Sequence, residues 1–521
     1  MSVPWHRFQR WRMAAAGLLA VAAFAWLAGR FWHPYYGFTK FVQLDEADAR
    51  NGIHEVRENP VFTYAGFNGY DGAAYVQIAF HPLLDSPELQ GALGNVPYRA
   101  KRILGSALAW ILSAGNPARV ATTYAALNLG VWLVLAAVLW RLLPVTDSRS
   151  WLAWAGVMFS AGALHSVRLA LTDLLAATLV AGALLLAERG RTSSALAILS
   201  IAGLARETAL ATVVGLWRGP WISTRPWLGN LVRGALVGLP LFAWIVYVRW
   251  KAGPAAQGFG NFTWPIVGWI EKGTDTLADF IRVPDYRWLN TTTLLALIAL
   301  TVQAAYFLRR WRQNDAWWRI GMSGVAMMAL LGTSVWEGHP GAATRVLLPM
   351  GVAFAVLAIR ERAGWAWIAA GSLTLFSGVL ALWQVPVDPF EFAAGQSERS
   401  AYVAHLGTGW YGAERQGRNV WAWSARHATL TLKTAPRTTA PQRVRLKLRA
   451  ISPREIEIRA GDALLWRGRA GEKLEWIEFD APARGAGPLT LDLHADGSPV
   501  PENKNPEARQ LGFAVYGLSV R

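Results

Sequence analysis

The stretch "LALTDLLAATLVAGALLLAERGRTSSALAILSIAGLARETALATVVGLW", residues 169–217, carries two apolar runs joined by the basic connector "ERGRT", with an Arg206-Glu207 pair in the middle of the second run. An apolar stretch of roughly 18 residues or more is long enough to cross a hydrocarbon core about 30 Å thick as a helix. The same pattern recurs along most of the chain. A first span is expected near 12–32, and further runs lie at 121–143, 151–165, 228–250, 291–308, 320–336, 346–359 and 365–383. The fold class that follows is a polytopic α-helical membrane domain of about 11 crossings.

Composition agrees with that class. The 521 residues are 53% hydrophobic, include 29 Trp and no Cys, and carry a formal charge of +17. An excess of cations can serve nucleic acid, but here Lys and Arg gather in short connectors such as "RLLPVTDSRS", "WRGPWISTRP", "RRWRQNDAWWR" and "RERAG". That placement is the positive-inside bias of membrane proteins, so no nucleic-acid partner is expected. The absence of Cys removes disulfides, thiolate metal sites and a thiol nucleophile. At the amino end a basic head precedes an apolar body, as in a signal peptide. A retained first span with a cytoplasmic amino terminus is the expectation, because many more spans follow.

The polar segment 33–102 holds Asp45, Glu46, Asp48, Glu55, Glu58, Asp71, Asp85 and Glu88 and is expected to be the first loop on the outer side. If every basic connector is cytoplasmic, the run 193–217 enters and leaves on one side as a helical hairpin bent at Arg206-Glu207. Each arm would then be about 18 Å long, which suits a water-filled notch rather than a full crossing. The competing arrangement makes 102–115, "RILGSALAWILSAG", a span and turns 193–217 into a single crossing. Both deliver the carboxyl end to the outside.

Beyond "QVPVDPFEF" (384–392) the pattern changes to short alternating runs such as "QRVRLKLRA", "REIEIRAG" and "PLTLDLHAD", separated by Gly, Pro and Asp turns. Such spacing argues an antiparallel β-sandwich of about 130 residues. The expected domains are therefore 1–384 and an outer all-β sandwich at 385–521.

Within "FNGYDGAAYVQIAFHP" (67–82), Asp71-Gly72 reads first as a turn with an acidic helix cap. The apolar spacing after it suits a helix lying along the membrane surface. The order "GYDGAAYVQIAFHP", "PYRAKRILGSALAWIL" and "LTDLLAATLVAGALLLAERGRTSSALAILSIAGLARETAL" resembles the polytopic bacterial GT-C glycosyltransferases, over roughly residues 1–383. The resemblance implies an inner-membrane enzyme that takes a sugar from a polyprenyl-phosphate donor and inverts its anomeric centre. It also implies that an Asp of the first outer loop is the catalytic base, with glycan, lipid or protein as acceptor and no cofactor. Asp71 matches that position, although "LDEAD" (44–48) offers Asp45 to Asp48 as alternatives.

Ionisable residues at membrane depth are costly and mark functional sites. Arg102, Asp173, Arg206, Glu207, Glu337 and Arg345 are the expected substrate-binding set, with guanidinium forks suited to a phosphate. His165 and His339 match no fixed metal-ligand spacing, and no metal site is expected. In the sandwich, which resembles modules that trail some bacterial membrane glycosyltransferases, Trp410 and Tyr411 are candidates for stacking on sugar rings, with Trp421 and Trp423. The cationic run "APRTTAPQRVRLKLR" suits anionic lipid headgroups, acidic glycans or a solvated strand face. A different class, a non-enzymatic transporter or assembly component for lipid-linked sugars, uses the same charges. It would more often show pseudo-repeated halves with broken helices, and none is evident.

Overall fold

The computed structural model describes residues 3–64, 68–219, 227–254, 260–310, 315–387, 391–392, 402–416, 419–434, 442–482, 488–503 and 508–520. Phe67, the connector 220–226, the centre of "RRWRQNDAWWR" at 311–314 and the start of the cationic run at 435–441 lie outside the described residues. Two compact units result. One comprises 1–31, 38–53 and 68–385, and the other 32–37, 54–67 and 386–521.

The first unit is helical. Among the described residues, four of its helices are by length and composition apolar enough to cross a membrane: Trp11–Gly29, Pro117–Leu142, Trp227–Ala252 and Pro284–Arg309. This corrects the expectation of about 11 crossings, for a reason visible in the chain. Several apolar runs are interrupted by residues that end one helix and cap the next. Ser160 separates Ser148–Met158 from Ala161–Arg168 and accepts a hydrogen bond from the Ala163 amide. Arg206, in extended conformation, separates Thr192–Ala205 from a 3-10 segment, Glu207–Leu216. The helix at Leu104–Leu112, the rival span, has nine residues, about 14 Å, and cannot cross alone. The apolar run 193–217 is thus cut into pieces of 14 and 10 residues, each shorter than the roughly 30 Å core.

Burial separates the long helices by role. Pro117–Leu142 buries Val120, Tyr124, Asn128, Trp132, Leu135 and Leu139, a single stripe with helical spacing. Trp227–Ala252 instead exposes Leu231, Leu239, Phe242 and Val246, an apolar surface suited to lipid. The helix Asp71–Phe80 corrects a second expectation. From Gly72 to Phe80 every residue is buried, so it is enclosed by protein and does not lie with one face on a membrane surface.

The second unit is all-β in its described residues from 402 onward, and its segment 54–67 adds a short helix, His54–Glu58. Its strands are β1 (Tyr402–Leu406), β2 (Trp410–Gln416), β3 (Asn419–Ser424), β4 (His427–Thr434), β5 (Gln442–Ala450), β6 (Arg454–Ala460), β7 (Ala463–Ala470), β8 (Glu475–Ala481), β9 (Leu489–Ala495) and β10 (Phe513–Val520). They form two five-stranded antiparallel sheets, in the orders β8-β5-β10-β3-β2 and β1-β4-β9-β6-β7. Alternate residues of both sheets, among them Leu446, Leu448, Leu430, Leu432, Ile456, Ile458 and Leu491, meet in one core. Segments 32–37 and 54–67 join this unit through Tyr36, Phe62 and Tyr64 packed with Val403, and through a His33–Glu391 contact of 3.4 Å.

Candidate functional site

The site is built from four short pieces of the helical unit. The first is the start of the Asp71–Phe80 helix. Its N-cap is Tyr70, without a side-chain cap bond, and Asp71 is the first helical residue. The expectation of a capping aspartate is therefore replaced: the Asp71 carboxylate accepts a 2.8 Å hydrogen bond from Arg99 Nη1 and lies 4.0 Å from Arg102 Nη1. Gly72 is required here, because a Cβ at that position would collide with the Leu169 and Val42 carbonyl oxygens. The close approach brings Asp71 against the turn that leads to Asp173. That turn is held from the Pro117–Leu142 helix, where the Tyr124 hydroxyl donates to the Ala170 carbonyl and Asn128 Nδ2 donates to those of Ser166 and Leu171.

The second piece, after the helix Val96–Ala100, supplies Lys101 and Arg102. Each of the three Arg102 nitrogens has a partner: Nε and Nη2 fork onto Glu207 at 2.9 and 2.7 Å, and Nη1 donates to the Tyr75 hydroxyl at 2.8 Å. Lys101 Nζ is 3.3 Å from the same Glu207 carboxylate. The third piece is the break at Arg206. Because Arg206 is extended, its guanidinium and the neighbouring Glu207 carboxylate reach different partners, and Arg206 Nη1 lies 2.9 Å from Asp173 Oδ1. The fourth is Ala343–Val346, from which Arg345 places Nε 3.8 Å from Asp173 Oδ2 and donates from Nη2 to the Tyr70 hydroxyl at 2.7 Å.

These links close into a ring that runs from Asp71 to Arg102, Glu207, Arg206, Asp173, Arg345 and Tyr70, and returns to Asp71 through the peptide bond. Five cations (Arg99, Lys101, Arg102, Arg206, Arg345) face three carboxylates (Asp71, Asp173, Glu207), and 5 − 3 leaves a formal excess of two positive charges. The Asp173 side chain is 1% exposed and that of Arg345 7%, whereas Asp71 is 35% exposed. Both Asp173 oxygens, Arg206 Nε and Arg345 Nε are buried without hydrogen-bond geometry to any partner. Such atoms are unfavourable unless something completes their bonding.

Of the sequence-chosen residues, Asp71, Arg102, Asp173, Arg206, Glu207 and Arg345 stand in the ring. Glu337 does not: it is exposed, just after the Thr333–Trp336 helix. His165 Nδ1 contacts the Ala161 carbonyl and His339 Nδ1 the Thr293 hydroxyl. Arg99, Tyr70 and Tyr75 were not selected from the sequence. Asp71 and Tyr75 are four residues apart on one helix, a spacing that puts both on one face, whereas Arg99 lies in the helix Val96–Ala100 and Arg102 just beyond its end. Among the described residues no group of three or more His, Asp or Glu is arranged to hold a metal ion.

The acidic alternatives in "LDEAD" have other partners. Asp45 caps the helix Glu46–Asn51 through the Asp48 amide at 2.6 Å, and its second oxygen accepts from the Gly69 amide at 2.8 Å. Burial, followed by the Asp45 carboxylate, holds Asp48 above the ordinary 3.8, with Arg99 acting in the opposite direction. The folded chain keeps this proton where the unfolded chain has released it, so this group's contribution to stability falls as pH rises from 3.8 through the folded value. Asp48→Asn is expected to flatten that slope, read as detergent-solubilised melting temperature between about pH 4 and pH 6.

In the sandwich, Trp410 packs on the core, edge-on to Phe513 at 5.8 Å, and donates from Nε1 to the Thr429 carbonyl at 2.7 Å. Trp410 is therefore a partly buried residue packed against the sandwich core. Tyr411 is exposed, with its hydroxyl bonded to Gln510 and Arg509 over its ring at 5.7 Å.

No family model and no curated protein matches the chain. Among solved structures, the chain is similar to a mutant of a family 29 carbohydrate-binding module, at 11% identity over 26% of this chain and 88% of that one, with a TM-score of 0.17. It is also similar to the arabinosyltransferase EmbB from Mycobacterium smegmatis, at 10% identity over 80% of this chain, with a TM-score of 0.29. The match spans 59% of the length of that enzyme.

Proposed function

We propose that the chain is an inverting membrane glycosyltransferase that moves a sugar from a polyprenyl-phosphate donor to an acceptor on the outer face of a bacterial inner membrane. The observation that carries the reading is the ring, in which a partly exposed carboxylate, Asp71, belongs to the same network as Arg206 and Arg345, whose buried Nε atoms have open hydrogen-bonding capacity, with a surplus of two positive charges. A departing lipid phosphate is a dianion and matches that surplus.

In this reading an acceptor hydroxyl approaches Asp71 from its exposed side and transfers its proton to the carboxylate. The acceptor oxygen forms a bond to the anomeric carbon while the bond from that carbon to the phosphate oxygen breaks. The electron pair leaves with the phosphate, which Arg345 and Arg206 hold. Attack from the face opposite the phosphate inverts the anomeric centre. Arg102 and Glu207, fully engaged with each other, position the floor of the site. Glu337 has no part in it.

The test is transfer of labelled sugar from synthetic polyprenyl-phosphate sugars in proteoliposomes, with the product's anomeric configuration read by NMR. Product of inverted configuration supports the reading. Passage of intact lipid-linked sugar across the bilayer with no product would instead make the chain a transporter. Arg345→Gln removes one charge-assisted fork and is expected to weaken donor binding by about tenfold or more, measured as the donor KM.

A further inference from the structure

The outward face of the sheet β8-β5-β10-β3-β2 carries a feature that sugar transfer does not use. Alternate residues of β5, Arg443, Arg445, Lys447 and Arg449, point away from the core that Val444, Leu446 and Leu448 enter. The four cations form a straight row about 20 Å long. Arg443 and Arg445 are partly neutralised by Glu478 and Asp480 of β8, at 3.2 to 3.4 Å. Lys447 and Arg449 have no carboxylate partner among the described residues.

Aromatic rings fix the row in place. Arg445 and Lys447 lie over the Trp476 ring at 5.1 and 6.0 Å, and Arg449 lies over Trp423 and Tyr516 at 5.1 and 5.3 Å. Trp421 stacks on Tyr516 with centroids 5.5 Å apart and planes 12° apart. Opposite Lys447, Arg445 and Arg449, strand β10 offers only the small residues Gly517, Ser519 and Ala514, and the Trp476 ring extends over Gly517.

We propose that this face binds an extended acidic glycan, with Lys447 and Arg449 taking its anionic groups and the exposed Trp476 taking the flat face of a sugar ring. Charge complementarity calls for a polyanion. The rings discriminate among polyanions. Single-stranded nucleic acid needs a run of free ring faces for stacking on successive bases, whereas cations lie over Trp423, Tyr516 and Trp476 alike. A lipid surface needs protruding apolar side chains, whereas Trp423 is buried beneath the cations. What remains is a row of cations held by aromatic rings, with Trp476 44% exposed at its side to pack on a sugar, which suits a linear chain of charged sugars.

The experiment uses the full chain in neutral detergent and measures retention on immobilised polygalacturonate, with dextran as the uncharged comparator. Retention on polygalacturonate that falls with salt, with none on dextran, is expected. Lys447→Glu, which leaves the packing of Arg449 untouched, is expected to weaken retention about tenfold, and Trp476→Ala to a similar degree. Arg449→Lys keeps the charge and reports separately on the ring contacts, and all three variants are to melt as the parent does. Sugar transfer, which this face does not touch, is expected to be unchanged by Lys447→Glu. Unaltered retention by Lys447→Glu would overturn the proposal. So would tighter binding to phosphatidylglycerol vesicles or to oligothymidylate than to polygalacturonate.

Discussion

Replacing Asp71 by Asn is expected to lower the proposed sugar transfer by about a hundredfold to ten-thousandfold, the range for loss of a general base, with the protein still folding and still binding donor. The asparagine keeps the shape of the side chain and its contact with Arg99, so the lesion is confined to proton transfer. Equilibrium binding of a non-transferable polyprenyl-phosphate, together with unchanged melting, separates lost chemistry from lost structure. Asp45→Asn is the comparison: its oxygens serve backbone amides at 2.6 and 2.8 Å, so it is expected to cost about 1 kcal/mol of stability with turnover largely kept. Full turnover in Asp71→Asn would remove Asp71 as the base.

The second large effect is on stability. Glu207→Gln leaves Arg102, 6% exposed, with its charge unbalanced, and is expected to destabilise the helical unit by about 3 kcal/mol. The double change Arg102→Met with Glu207→Leu removes both charges and is expected to be milder than Glu207→Gln alone, a non-additivity that a double-mutant cycle reads as melting temperature in detergent. Equal damage from the single and double variants would show that packing, rather than charge balance, sets the effect.

Much of this site was legible in the sequence because charges in apolar surroundings stand out. Arg206, Glu207 and Asp173 each interrupt an apolar run and Arg345 directly precedes one, and all four enter the ring. Arg99 was not legible, because nothing local to "PYRAKR" says which of its cations meets a residue in another helix. Tyr70 and Tyr75 read as ordinary aromatic residues until their hydroxyls are seen against Arg345 and Arg102. The crossing number failed on a related point, since hydropathy sums over a run and does not register the cap at Ser160 or the extended Arg206. The Asp71–Phe80 helix was misplaced because apolar spacing does not distinguish burial by protein from burial by lipid. In the sandwich, strand alternation marked the sheets, but the register shift between Trp410 and Ala413 breaks the period of two beside Trp410, which packs partly buried against the core.

The break at Arg206 also bears on how the chain is made. Its two arms are each too short to span, and as a single inserting segment they carry an arginine and a glutamate to membrane depth, at about 2.5–3.5 kcal/mol for the arginine on insertion scales. Synthesis runs from the amino end, and Arg102 and Asp173 both precede the pair. When residues 206 and 207 leave the ribosome, the partner for each has already emerged. Arg345 comes much later, so neutralisation of the pair does not have to wait for it, and Arg345 completes the ring last.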